Sequence, residues 1–355
     1  MPRDPQVDLI FSHFTPRYIA TGVDANDLER LKARISRWDD WCRIWSEEAA
    51  QHAQLGLEAL DADNIVTASE AFLRAAIYYH YAKHLFADRP QEYGAAHERM
   101  LRCYKAAVKD MDPPAEHLRI AFDGAHLHAW LRCPIGARQL PVAVILPGLD
   151  ACKEELHAWS EAFLVRGLAT LTLDGPGQGE TAFALPIRTD WGKVIGAVID
   201  ALRYRNDVDA DTVGVVGQSL GAFYAPLAAS QEPRIKACIA NCGPYDWGRV
   251  LPQMPKVSQE VFRVRSHAET IEQGHGIAKA MTLEGSAERI ACPLLVVFGG
   301  GDRLIPPAEG ERLAREAKGT TKFVLYPEGN HVCFNIPYKF RPLTADWMAQ
   351  TLFGK

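Results

Sequence analysis

Between residues 142 and 327 the chain carries six short, solid apolar runs: VAVILPG (142–148), ATLTLDG (169–175), TVGVVG (212–217), ACIANCG (237–243), PLLVVFGG (293–300) and KFVLYP (322–327). Runs of this length without polar alternation suit parallel strands buried on both faces. Helical patterns at 153–166, 189–205, 220–230 and 307–317 separate most of them, and another at 344–353 closes the chain. Parallel neighbours need such crossovers, so an α/β sheet is predicted. HLRIAF (117–122) and HLHAWLRC (126–133), joined by a DGA hairpin signal, add two strands and bring the sheet to about eight, mostly parallel. Residues 244–288 are too long for a plain crossover and are expected to add a lid segment.

Before residue 115 the pattern is different. Leu28, Leu31, Ile35, Trp38, Cys42 and Trp45 follow a helical period, as do Phe72, Ala76, Tyr79 and Phe86, and then Tyr93, Ala96, Met100 and Cys103. KDMDPPAEH (109–117) interrupts it with two prolines. The predicted organisation is therefore a helical cap domain over 1–115 and a catalytic α/β domain over 116–355. With 48% apolar residues the chain can fill both cores, and a net charge of −5 without a basic run argues against nucleic-acid binding. The start MPRDPQVDLI has no apolar h-region and no apolar run approaches membrane-spanning length. Eight cysteines scattered through apolar runs read as buried free thiols of a reducing cytoplasm; C-x3-C at Cys238 and Cys242 has no second pair and does not suggest a metal site.

Gly217-Gln218-Ser219-Leu220-Gly221 matches G-x-S-x-G between a strand and a helical run. A sharp strand-to-helix turn would hold Ser219 in a strained backbone conformation with its hydroxyl exposed, and the two glycines let neighbouring backbone pass. A serine hydroxyl needs a base to take its proton, and the base needs a carboxylate to orient it. Asp302 after the seventh strand and His331 after the eighth occupy the required chain order at strand ends, as the α/β-hydrolase fold demands. The competing reading makes Asp302 a cap of the helix starting near Pro306 and His331 an ordinary loop histidine. An oxyanion hole needs two backbone N–H donors. Leu220 should supply one, and the loop LPGLDACKEE the other, with Leu149 chosen over its neighbours Gly148 and Asp150.

LPGLDACKEE, LDGPGQGE, GVVGQSLGAFYA, VFGGGDRLIPP and YPEGNHVCFN, behind a helical N-terminal region, together resemble the 2,6-dihydroxypseudooxynicotine hydrolase-like family of α/β-hydrolases. Fungal enzymes that shorten polyketide pigment precursors resemble it more distantly. The resemblance implies a serine hydrolase that cuts a carbon–carbon bond in a 1,3-diketone-like aryl or heteroaryl ketone beneath an N-terminal all-helical cap. Its triad maps onto Ser219, Asp302 and His331. A family glutamate beside the oxyanion loop corresponds to Asp150, one methylene shorter, with an implied role in handling substrate. Read from the residues alone, Asp150 could equally N-cap a helix beginning at Ala151. The same triad would serve a carboxylesterase or thioesterase, since only the leaving group differs.

Other candidates are weaker in spacing. His80 and His84 lie at i, i+4, which zinc can use, but aromatic packing of a cap helix explains YYHYAKH as well. If that helix faces the pocket, Tyr78, Tyr81 and His80 could contact an aromatic substrate, as could Trp159 and His275. LDGPGQGE lacks dinucleotide-binding spacing and reads as a tight turn, with Asp174 structural. No metal and no organic cofactor are expected. The expected partner is a small aromatic ketone or ester, with no nucleic acid and no membrane, and the resemblance points to a homodimer.

Overall fold

In the computed structural model, which describes residues 3–354, the chain forms two compact units that divide at Ala115/Glu116. The first is all-helical, with α1 Pro5–Thr21, α2 Ala25–Arg34, α3 Trp41–Asp61, α4 Ile65–Lys83 and α5 Pro90–Val108. Sequence periodicity did not reveal α1, because Pro16 sits inside it and removes one backbone donor. Its ends are nevertheless well specified. Asp4 accepts from the Gln6 amide at the N-cap, Pro5 occupies the first turn, and Gly22 closes the helix at φ +115°.

The single helix expected through Leu28 and Trp45 is in fact two. Ile35 turns extended, and the Asp4 amide takes the Ser36 carbonyl, so α2 and α3 meet at a break that still buries the same apolar stripe. Likewise α4 stops at Lys83, leaving Phe86 outside it and Leu85 at φ +61°. The core of this unit is aromatic: Tyr18, Trp41, Trp45, Tyr78 and Tyr81 are all fully buried, with ring centroids 4.5–5.9 Å apart between neighbours.

The second unit is an eight-stranded sheet. Its strands are β1 Ala115–Phe122, β2 Ala125–Arg132, β3 Leu140–Leu146, β4 Ala169–Asp174, β5 Val208–Gln218, β6 Ile235–Asn241, β7 Leu294–Gly299 and β8 Thr321–Tyr326. They lie in the order β1-β2-β4-β3-β5-β6-β7-β8. β2 runs antiparallel to β4, and every neighbour from β4 to β8 is parallel. Asp123 and Gly124 both have positive φ, as a two-residue hairpin turn between β1 and β2 requires. The strands from β3 to β7 are buried on both faces, which is why they read as solid apolar runs.

The covering helices are α6 His157–Leu164, α7 Trp191–Leu202, α8 Gly221–Gln231, α12 Pro307–Glu316 and α13 Pro337–Leu352. Between β6 and β7 the chain inserts α9 Trp247–Val250, α10 Lys256–Arg265 and α11 Ile271–Ala278. That insertion is tied to the loop after β4: the Ile187 amide donates to the Arg265 carbonyl at 3.0 Å, and His267 Nε2 meets the Ala182 carbonyl at 2.8 Å. No helix among the described residues is long and apolar enough to cross a membrane.

Candidate active site

β5 delivers Ser219 to the carboxyl edge of the sheet, and the chain turns there at φ +52°, a conformation that costs a non-glycine residue about 1–3 kcal/mol. Two backbone bonds hold it: the Ser219 amide donates to the Asn241 carbonyl, and the Ser219 carbonyl accepts from Ala222, both at 2.9 Å. The flanking glycines are required by close approach. A Cβ on Gly217 would lie 2.0 Å from the Gly221 carbonyl oxygen, and one on Gly221 would lie 2.4 Å from that of Leu146.

His331 Nε2 stands 2.9 Å from Ser219 Oγ, and His331 Nδ1 stands 2.7 Å from Asp302 Oδ2. Asp302 Oδ1 accepts the amides of Leu304 and Ile305 at 2.9 and 3.0 Å. Burial alone would raise this carboxyl; the His331 charge, its hydrogen bond and the two amides outweigh burial and hold it below the ordinary carboxylate value. Asp302 is thus an anion aimed at one ring nitrogen, which leaves the other to face the serine. The loop carrying His331 is clamped by paired side chains. Asn335 Oδ1 accepts the Asn330 amide, Asn330 Oδ1 accepts the Asn335 amide, and Asn335 Nδ2 donates to the Glu328 carbonyl. Val332 and Cys333 follow at φ +61° and +60°, so strain accumulates next to His331 as it does at the serine.

The loop after β3 passes beside the serine. A Cβ on Gly148 would lie 3.1 Å from Ser219 Cβ and 3.5 Å from its Oγ, so the amides that follow are within the serine's neighbourhood. Gln178 fixes this loop from behind: its Nε2 donates to the Pro147 carbonyl while its Oε1 accepts the Gly175 amide. Leu220 is the N-cap residue of α8, at the helix N-terminus where the positive dipole end lies. Leu149 and Leu220, the expected oxyanion donors, flank the serine in these two segments, and their side chains are buried.

Beyond Asp150 the same loop is anchored by an ionic knot that sequence reasoning missed. Lys153, fully buried, donates from Nζ to Asp174 Oδ2 at 2.9 Å, and meets Glu154 Oε1 at 2.8 Å and Glu180 Oε2 at 3.0 Å. Asp174 Oδ1 takes the Lys153 amide, Asp174 Oδ2 the Glu180 amide, and Trp130 Nε1 donates to Glu154 Oε1. Desolvation alone would discharge Lys153, but the three carboxylates keep it firmly protonated. The only sequence signal was a charged KEE triplet immediately after an apolar loop, and nothing in it names the partners.

Several expected substrate contacts are corrected. Tyr78, Tyr81 and His80 have no accessible surface and belong to the packed interior of the helical unit. Tyr78 donates to Asp27 Oδ2 at 2.6 Å, and the Tyr81 hydroxyl pairs with that of Thr21 at 2.5 Å. Trp159 is likewise structural: it is 2% exposed, donates to Thr344 Oγ1, and packs against Phe163 and Phe340. His275 joins α11 to α10 through Gln259 Oε1 at 2.9 Å. Asp150 is half-buried, and it does not cap a helix at Ala151, because α6 begins only at His157 with Leu156 at its N-cap. Asp174 is structural, as its sequence context suggested.

A family model described as Esterase FrsA-like matches residues 18–276. The chain is 30% identical over 346 residues to the 2,6-dihydropseudooxynicotine hydrolase of Paenarthrobacter nicotinovorans, covering 95% of this chain and 91% of that one. A crystal structure of 2,6-dihydroxy-pseudo-oxynicotine hydrolase superposes with a TM-score of 0.88 at 28% identity, over 96% of each chain. The hydrolyase poxO of Penicillium oxalicum is 35% identical over 223 residues, 59% of this chain and 53% of that protein.

Proposed function

The chain belongs to the FrsA-like esterase family and is an α/β-hydrolase, and on that premise we propose that it hydrolyses a carbon–carbon bond in a 1,3-diketone-like aryl or heteroaryl ketone. The observation that carries the reading is the continuous Ser219–His331–Asp302 contact, 2.9 and 2.7 Å, in a chain similar along nearly its whole length to a hydrolase of a pseudooxynicotine.

The chemistry follows from the charges. His331 Nε2 takes the Ser219 proton as Oγ attacks one carbonyl carbon, and Asp302 stabilises the imidazolium. The resulting oxyanion is received by the amides of Leu220 and Leu149. Collapse breaks the bond to the carbon between the two carbonyls, and the electron pair spreads onto the neighbouring ketone as an enolate. The imidazolium returns its proton to that carbon, releasing a ketone. Water then attacks the acyl-serine, its proton passing through His331 to Ser219, and a carboxylic acid leaves. Asp150 would orient the substrate, and the helices between β6 and β7 would act as a lid. The same reading describes a cytoplasmic homodimer that needs no cofactor.

A panel of aryl 1,3-diketones and nitrophenyl esters tests the proposal. Diketone cleavage to an acid and a ketone, abolished in Ser219→Ala and labelled at Ser219 by a fluorophosphonate, is the expected result. Rapid ester turnover without diketone cleavage would instead favour a carboxylesterase or thioesterase, the reading to which the family's esterase description lends support. Asp150→Asn should lower diketone turnover while leaving the melting temperature unchanged.

A further inference from the structure

The ionic knot has an outer face. On the β1–β2 hairpin, His117 and His128 present near-parallel rings, with centroids 5.5 Å apart and planes at 20°. Both reach Glu180, which follows the tight turn after β4. His128 Nδ1 lies 3.2 Å from Glu180 Oε1, and His117 Nε2 lies 3.6 Å from Glu180 Oε2. One ligand atom from each of the three residues falls within 4.8 Å of the others. We propose that His117, His128 and Glu180 form a divalent transition-metal site of the zinc class, closed by water in the fourth position.

Geometry and charge both point this way. A tetrahedral zinc ion with bonds of about 2.0–2.2 Å spaces its ligand atoms by about 3.3–3.6 Å. His128 Nδ1 already stands close to that spacing from Glu180 Oε1, at 3.2 Å, while His117 Nε2, now 3.6 Å from the other carboxylate oxygen, would have to turn towards Oε1. Two imidazoles and one carboxylate are a donor set that zinc accepts while keeping an open position. Behind them, the carboxylates of Asp174, Glu154 and Glu180 share the one ammonium of Lys153, which leaves two formal negative charges in that group. A divalent cation would cancel them. Lys153 binds Glu180 Oε2 and so leaves Oε1 to the ion, which makes the knot an outer shell that orients the ligating carboxylate.

The contrast with the helical unit supports the choice. Asp27, Glu48 and His52 also cluster there, but Arg30 bonds both carboxylates, Arg34 bonds Glu48, and His52 and Tyr78 share Asp27. That cluster is already neutralised by guanidinium groups. In the second unit, a bound ion would pin the hairpin to the turn after β4, independently of any chemistry at Ser219.

The test uses the full-length chain freed of metal and titrated with zinc chloride against a chromophoric chelator, with cobalt(II) as a spectroscopic stand-in. The expected result is one equivalent bound by wild type, with four-coordinate cobalt bands and no thiolate charge-transfer band. His128→Ala and His117→Ala should each weaken binding by more than the roughly 10–100-fold that loss of an outer-shell partner costs. His52→Ala should leave it unchanged. Zinc should raise the wild-type melting temperature, as a ligand bound only by the folded state must, and not that of the double histidine variant. If the double variant does not fold, His117→Asn alone serves, since His117 lies at the surface. No uptake by wild type, uptake undiminished by either histidine change, or cobalt bound through thiolate would each overturn the proposal.

Discussion

Asp174 and Asp302 are two answers to one problem. Each stands at the carboxyl edge of the sheet with its side chain sealed from water, and each accepts two backbone amides and one side-chain donor. They differ in the donor. Asp174 holds Lys153, whose charge is fixed by three carboxylates, so the assembly has one state and serves as an anchor. Asp302 holds His331, whose other nitrogen faces the Ser219 hydroxyl at 2.9 Å. The same solvation device builds an anchor in one place and, on the proposed function, chemistry in the other.

The largest expected effect separates the two. Asp302→Asn keeps the shape but offers the wrong hydrogen-bond partner to His331 Nδ1, and should lower kcat/KM on the order of 10⁴-fold. Its circular dichroism should stay native. Steady-state kinetics on the best substrate found checks this, and a loss under about tenfold would mean that Asp302 is an anchor like Asp174.

Lys153→Met asks the converse question. It removes the one ammonium from a buried group of three carboxylates, and breaking such an interaction costs about 3–5 kcal/mol. Urea denaturation should show that loss. A destabilisation under about 1 kcal/mol would break the comparison from the other side, since the knot would then be no anchor.

These two sites were unequally legible in the sequence. Ser219, Asp302 and His331 could be read because a strand-to-helix elbow demands glycines at fixed spacing and the fold fixes the chain order of its partners. The sheet could be read because strands buried on both faces need solid apolar runs. The knot could not. Lys153 and Glu154 come from the loop after β3, Asp174 and Glu180 from the end of β4 and the turn after it, and a charged residue in a sequence does not disclose whether its partner is water or another chain segment. α1 stayed hidden because an interior proline masks helical periodicity, and the break at Ile35 because periodicity continues across it. Tyr78 and Tyr81 misled for a related reason: a tyrosine stripe looks the same whether its hydroxyls meet a ligand or, as here, Asp27 and Thr21.

A smaller effect refines the anchor. Trp130→Phe keeps the aromatic volume between the hairpin and the loop but deletes the Nε1 donor to Glu154 Oε1, 2.9 Å away. A hydrogen bond to a charged group contributes about 1.5–3 kcal/mol, and the urea midpoint should fall accordingly. The kinetic constants should stay near wild type, because Lys153 still holds Asp174 and with it the loop that offers Leu149. A fall in kcat larger than the fall in stability would mean that the knot tunes the reaction as well as the fold.

The smallest effect concerns acid, and it has a definite sign. Asp302 is held below its ordinary value in the folded chain, so its contribution to stability is complete above about pH 4, the unfolded carboxylate value, and is lost as pH falls through the folded one. Asn at 302 has no proton to gain. The stability gap between wild type and Asp302→Asn, from urea curves at pH 6 and at pH 3, should therefore narrow towards acid. A gap that stayed constant would mean that the Asp302 carboxyl titrates alike in the folded and unfolded chains, and that His331 and the amides of Leu304 and Ile305 do no more for it than water does.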